Sequence, residues 1–428
     1  MVQYHKRLGR TFRLESLFAT PVVYTTAPEN LHIIYTAGKT FGIEPQRLPP
    51  MEFFCGKGFL TTDGSVWQQS RKRLKPTFSN ANISDLSVLS RDIKDLFKTI
   101  PLNGSSFDLQ PLLFTTFLNN SLHFLLGVDP SVDSEGAPCT ADEFIEHLHS
   151  ALRGTGLRVM LGRLRRLAPK KAYQQACRRA HEYLDFYVHR ALEHNKKNGG
   201  TSTMNKQRSL IQGLAEQTDD KTYIRDQVLQ GMMASQETTA VLISNAMFLL
   251  ARNQQQWDTL RSEVLRLGED LFTFDNLRGF TTLQNILSET LRLYPVFPMM
   301  IRCCLQDTML PVGGGPNHDQ PIFIPKGTYL QTSFFALHRE ESVFGPGIDE
   351  FRPERWLENH PGQWEYMAFG GGQRARLGRE KVLFEAALVI ARLAQNFERL
   401  ESRDARQWKG MLRLTGKNAN GCQIALYR

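Results

Sequence analysis

The sequence predicts a mainly α-helical fold with small β-sheets, on three observations. Apolar residues recur at helical spacing through most of residues 64–195 and again from 223 to 294. β-type patterns are short and confined to Val22-Val23-Tyr24, the stretch 299–335 and the last twenty residues. Hydrophobic residues make up 41% and charged residues 22% of 428, the balance of a globular chain that buries a large core. Lys and Arg total 52 against 43 Asp and Glu; the resulting +9 is spread too thinly for a nucleic-acid binder and fits a basic face. The six cysteines form no C-x-x-C pair, zinc spacing or secreted-type framework, so reduced thiols in a cytosolic setting are expected.

In chain order, residues 1–50 read as short strands and turns, with Pro28-Glu29-Asn30 able to open a short helix. Lys6, Arg7, Arg10, Arg13 and Glu15 break the N-terminus, which therefore has no apolar signal-peptide core. Helical spacing follows to about 195, clearest in Ala176, Ala180, Leu184, Tyr187 and Ala191. Residues 195–220 are polar and read as a surface loop with one short helix. One long helix is expected over Tyr223–Arg252, its apolar run interrupted by Ser235-Gln236-Glu237-Thr238-Thr239. Its most apolar part, 241–250, holds Ser244 and Asn245 and is too short to span a bilayer, which needs about 18 apolar residues or more; no transmembrane segment is expected. Helices follow over about 254–268 and 280–294, the second stopped by Pro295 and Pro298. Ile322-Phe323-Ile324 runs into the turn Pro325-Lys326-Gly327. Residues 357–378 read as irregular, 380–395 as an apolar helix and the last twenty residues as a strand.

Taken singly, the motifs are weak. Glu289 and Arg292, three apart, match any solvated helix pair. Trp67 and Arg71 read as packing plus a surface charge, and Phe369-Gly-Gly-Gly372-Gln-Arg374 as a phosphate loop that lacks its lysine. Order is the stronger signal. A W-x-x-x-R helix, a polar break in a central helix, an E-x-x-R helix, the loop Phe351-Arg-Pro-Glu-Arg355-Trp356 and a Gly-rich loop opening an apolar helix follow one another in one chain.

That series resembles the cytochrome P450 superfamily, the haem-thiolate monooxygenases, over nearly the whole length. The wording around Asp63, Trp67, Arg71, Phe78 and Glu289–Pro295 is similar to the fungal branches related to alkane and fatty-acid hydroxylases. The resemblance implies the cytochrome P450 fold as a single domain over 1–428, lacking the N-terminal membrane anchor that this branch carries. It implies that Glu289, Arg292 and Arg355 form a buried network under a haem. Trp67, Arg71, Arg302 and Arg374 would face the haem propionates, with Phe369 and Gly378 framing the haem loop. Glu237 and Thr238 would be the catalytic pair that delivers protons, Ser235 replacing a usual glycine. The metal-ligand position of the family is Arg376, where Phe-x-x-Gly-x-Arg-x-Cys-x-Gly would place cysteine.

Two functions follow. The first is an NADPH-dependent haem monooxygenase oxidising a lipophilic small molecule, a fungal secondary metabolite or a fatty-acid-like chain, with Phe297–Met300 and Phe334-Phe335 lining its cavity. The second is an inactive or redox-neutral protein that uses the same fold to bind a small molecule. Glu237 and Thr238 favour the first, Arg376 the second. The implied redox partner is an NADPH-dependent flavin reductase, docked through Lys72, Arg73 and Lys75. The basic stretch Arg153–Lys171 reads either as a peripheral membrane contact or as a solvated face. The expected location is cytoplasmic or peripheral on the endoplasmic reticulum.

Overall fold

A computed structural model describes residues 1–16, 19–101, 103–129, 135–197, 208–235, 237–412 and 415–428. The fold is mainly helical, with sheets of two to five strands. Residues Met1–Gly42, Ile93–Thr115 and Glu237–Arg428 form one compact unit, Ile43–Asp92 and Thr116–Gln236 a second.

The largest sheet lies in the first unit, in the order Thr11–Ser16, Ala19–Thr25, Tyr329–Ser333, Met299–Cys304, Phe41–Gly42. Ala19–Thr25 and Tyr329–Ser333 run parallel; the other neighbours are antiparallel. β-Branched and aromatic side chains in Val22-Val23-Tyr24 suit a half-buried pleated surface. Val23 pairs with Leu330, and both pack on Leu31, Ile34, Tyr35 and Phe334. Buried Asn30 pins this layer. Its amide donates to the Thr11 and Thr25 hydroxyls and to the Val312 carbonyl, and its oxygen accepts the Val312 N–H. Helices Thr238–Leu250, Thr281–Leu293 and Arg379–Asn396 pack together. Every residue of Thr238–Leu250 is buried, as an apolar surface on all sides requires.

Glu289, Arg292 and Arg355 meet in this unit at 0–1% side-chain exposure. Arg292 donates Nε–H and Nη2–H to the two Glu289 oxygens, each at 2.8 Å. Arg355 Nε–H (3.3 Å), Trp356 Nε1–H (3.1 Å) and the Arg352 N–H (3.1 Å) complete the carboxylate's shell. The outer edges of the guanidiniums bind backbone. Arg292 donates to the carbonyls of His338, Ile348 and Glu350, and Arg355 to those of Phe344, Pro346 and Gly347. One carboxylate thereby sets the path of residues 338–356.

In the second unit Ala141–Leu161 packs on Lys171–Lys197, and Glu44–Cys55 packs on the former. A capping box, Thr140 with Glu143, opens Ala141–Leu161. Ala176, Ala180, Leu184 and Tyr187 are buried as their spacing predicts, Leu192 and not Ala191 continuing the stripe. Phe144 stacks on Tyr183 at 4.2 Å.

Three expectations need correction. The single helix over 223–252 is two helices, Lys221–Ser235 and Thr238–Leu250; residue 236 lies outside the described residues. Glu237 leaves ideal helix geometry at φ −106°, ψ −20° and binds Thr415 instead. Within 1–50, Val2–Leu8 and Glu44–Cys55 are helices. Glu44–Cys55 forms despite Pro49 and Pro50 because burial of Pro50, Met51, Phe54 and Cys55 outweighs the lost backbone bonds. The last twenty residues hold three strands, Gly410–Leu412, Gly416–Asn418 and Gln423–Tyr427, and Gly421 turns the chain between the last two at φ 73°. The one short helix expected within 195–220 is present as Leu210–Ala215, and residues 198–207 lie outside the described residues. Among the described residues no helix is long and apolar enough to cross a membrane, and the six cysteines are free thiols.

Glu289→Ala leaves two buried guanidiniums without their counter-charge and should lower folding stability by about 3–5 kcal/mol in chemical denaturation. An unchanged midpoint would show that the network contributes nothing. His338 generates a second expectation. Its Nε2 accepts the Met367 N–H at 2.9 Å, which requires a neutral ring. Burial, then Arg292 and Arg339, push its pKa down to about 3 from 6.5. The folded state therefore binds this proton more weakly than the unfolded chain. The contribution of neutral His338 is intact above about pH 6.5 and is lost below it, by up to ~1.4 kcal/mol per pH unit. The stability gap between the unmodified chain and His338→Gln, followed from pH 7.5 to pH 5, should shrink as pH falls.

Candidate functional site

The Gly-rich segment of the first unit is a loop shaped by its backbone. The Arg376 N–H donates to the Phe369 carbonyl at 3.2 Å and the Ala375 N–H to that of Gly372 at 3.1 Å. Gly370 and Gly372 have φ of 75° and 63°, where an L side chain is strained. A Cβ on Gly372 would also stand 2.1 Å from the Tyr35 carbonyl oxygen, so only glycine fits. Gly378 caps helix Arg379–Asn396, its carbonyl accepting the Val382 N–H at 2.9 Å. Upstream, Met367 is held by His338, and the Tyr366 hydroxyl donates to the Ser288 carbonyl at 3.1 Å. The loop thus hangs from the same segment that the Glu289 network fixes.

Three of the arginines around it, Arg302, Arg376 and Arg379, lie against aromatic rings. Arg376 lies 3.6 Å over the Phe297 ring, in cation–π contact. Arg302, 4% exposed in strand Met299–Cys304, lies 4.6 Å over Tyr35, the residue whose carbonyl packs on Gly372. Arg374 sits in the turn Gly372–Arg374, which packs on helix Pro28–Thr36. Arg379 lies 5.7 Å from the Phe369 ring.

Glu237 and Thr238 open helix Thr238–Leu250. The Thr415 hydroxyl donates to Glu237 Oε2 at 2.8 Å and Lys417 Nζ lies 3.9 Å from Oε1. Thr238 is 4% exposed. The Thr239 hydroxyl donates to Glu385 Oε2 at 3.4 Å, and Glu385 pairs with Lys381 on the helix that follows the loop. Thr415 and Lys417 escape sequence reasoning because 178 residues separate Thr415 from Glu237 and no local pattern marks the contact. Tyr35 and His338 escape it for the same reason. Of the expected cavity residues, Phe334 is a core residue at 1% exposure, and Arg339 covers Phe335 at 3.7 Å.

In the second unit Trp67 is buried on helix Gly64–Leu74, with the Arg71 guanidinium 5.8 Å from its ring. Burial lowers the pKa of Arg71. Asp63 precedes the helix and accepts the Ile43 and Glu44 N–H groups. Arg73 lies over Tyr223 at 4.9 Å, while Lys72 and Lys75 are exposed.

Residues 1–415 match the family model described as Cytochrome P450. The chain is 34% identical over 439 residues to cytochrome P450 monooxygenase fsdH of Fusarium heterosporum, covering 99% of this chain and 76% of that protein. It is 33% identical over 429 residues to cytochrome P450 monooxygenase himC of Aspergillus japonicus, covering 99% and 77%. To cytochrome P450 52A3-A of Candida maltosa it is 35% identical over 402 residues, covering 90% and 76%. Fold, motif order and these likenesses agree: the chain belongs to the cytochrome P450 family.

Proposed function

We propose that this chain is a P450 of the fungal monooxygenase lineage that binds a lipophilic small molecule and does not carry out thiolate-dependent oxygen activation. The observation that carries the reading is the chemistry of position 376. The family implies a haem, and a cysteine thiolate on its iron favours O–O cleavage by pushing electron density onto the metal. A guanidinium stays protonated, offers no donor lone pair and repels a ferric centre. The Arg376 side chain is moreover engaged on Phe297. No Cys or His occurs between residues 364 and 388. The Cys303 and Cys304 thiols are buried and directed at backbone carbonyls of their own segment. The residues present do not fit a thiolate-ligated haem.

Arg302 and Arg374, and in the second unit Trp67 and Arg71, occupy positions that the family turns toward propionates, and guanidinium donors suit carboxylates. They support retention of haem without a sulfur ligand. Such a protein is either inactive or turns over in a redox-neutral step, with substrate positioning as the contribution of the chain.

The retained Glu237 and Thr238 favour a second reading. With a competent ligand the same frame would run the lineage's hydroxylation, electrons coming from an NADPH-dependent flavin reductase steered by Lys72, Arg73 and Lys75. The absorption spectrum of the reduced, carbon-monoxide-bound protein separates the two. The expected result is no strongly red-shifted, thiolate-type band in the unmodified chain and such a band in Arg376→Cys. That band in the unmodified chain would overturn the proposal.

A further inference from the structure

We propose that Glu237 Oε1 and Lys417 Nζ, in the first unit, form a recognition site for a hydroxyl group on the ligand, so that the chain selects alcohols among lipophilic molecules. The inference rests on the reading of the chain as a binder of a lipophilic small molecule and not on the chemistry at Arg376. The two atoms stand 3.9 Å apart. They pair by charge, yet the separation exceeds the roughly 3.2 Å limit of a direct N–H···O bond. Among the described residues neither atom has a hydrogen-bond partner: Glu237 accepts from Thr415 through Oε2, and the Lys417 ammonium rests 4.4 Å from the Phe114 ring centroid. The side chains of Glu237 and Lys417 are 27% and 12% exposed, reachable from solvent but largely withdrawn from it.

The spacing is fixed from both sides. The Thr415 hydroxyl, on a residue with no exposed surface, holds Glu237 Oε2 at 2.8 Å. Lys417 lies on strand Gly416–Asn418, opposite Met411. Before it, the Gly416 N–H donates to the Val296 carbonyl at 2.8 Å, and a Cβ on Gly416 would stand 3.0 Å from Pro298. After it, the Asn418 side chain accepts the Lys409 N–H at 3.2 Å and donates to the Gly421 carbonyl at 2.8 Å. The strand is thereby held in place, and the Phe114 ring face competes with Glu237 for the ammonium.

Partly buried charged atoms held without hydrogen bonds are costly, and a polar contact of this length suits a bridging group. The bridge must accept from Nζ and donate to Oε1. A hydroxyl does both from one oxygen atom. A carboxylate is repelled by Glu237, an ammonium by Lys417, and an ether or ketone oxygen satisfies Lys417 alone. Phe114 and, next to Gly416, Pro298 are half-buried. They offer apolar surface to the rest of the molecule, as in pockets where a few polar groups fix orientation.

The test is displacement of Nile red from the full chain by undecanol, a primary alcohol, and by its isomer decyl methyl ether. The ether is the more apolar of the two, so apolar burial alone favours it. The alcohol should nevertheless bind about tenfold tighter. Lys417→Met keeps the length of the side chain without its ammonium; it should cut the preference to about twofold or less and leave ether binding unchanged. Equal binding of the isomers by the unmodified chain, or tighter binding of the ether, would overturn the site while leaving lipophile binding in place. Displacement by neither isomer would overturn the site together with the reading on which it rests. A full preference for the alcohol persisting in Lys417→Met would also overturn it, because the hydroxyl would then be recognised elsewhere.

Discussion

The Glu289 carboxylate is removed from water, and the first unit is organised around the donors that compensate for it. A buried ion is costly unless its lone pairs are filled, and five N–H groups from Arg292, Arg352, Arg355 and Trp356 converge on this one. The guanidiniums bring the same problem with the opposite sign, and backbone carbonyls of residues 338–350 solve it. The two requirements together leave one path for the chain between His338 and Trp356. His338 then hands that position on to Met367, and Met367 to the Gly-rich loop.

This chain of supports explains how the loop accommodates Arg376. Its shape rests on the Arg376 N–H, on the Phe369 carbonyl and on the close approach of Gly372 to Tyr35, none of which involves the side chain at position 376. Phe297 supplies a ring face for the guanidinium. Architecture and chemistry are thereby separable here. The family's frame depends on backbone and on the Glu289 network, whereas its oxygen chemistry depends on one lone pair that arginine lacks.

Much of this is legible in the amino-acid sequence. Helix Thr281–Leu293, the apolar stripe of Lys171–Lys197 and the strands after Pro298 follow from periodicity and from proline positions. The meeting of Glu289 with Arg355 was not derivable from either motif alone, since a pair three apart on a helix is ordinarily solvated; family order supplied it. Contacts closed over long loops stayed hidden. Glu237 with Thr415, Tyr35 with Gly372 and Arg376 with Phe297 join residues whose local sequence says nothing of their partner. The break before Thr238 was visible as polarity, but its outcome as two helices depended on where Glu237 finds a donor. Helix Glu44–Cys55 was masked by its prolines, because burial and not propensity decides there.

On the function proposed above, sulfur does not reach the iron when this chain takes up haem. Iron K-edge X-ray absorption of the ferric, haem-reconstituted protein reads that coordination shell directly. The expected shell holds nitrogen and oxygen atoms only. A sulfur atom bound to iron in the unmodified chain would contradict it, whatever residue supplied the sulfur.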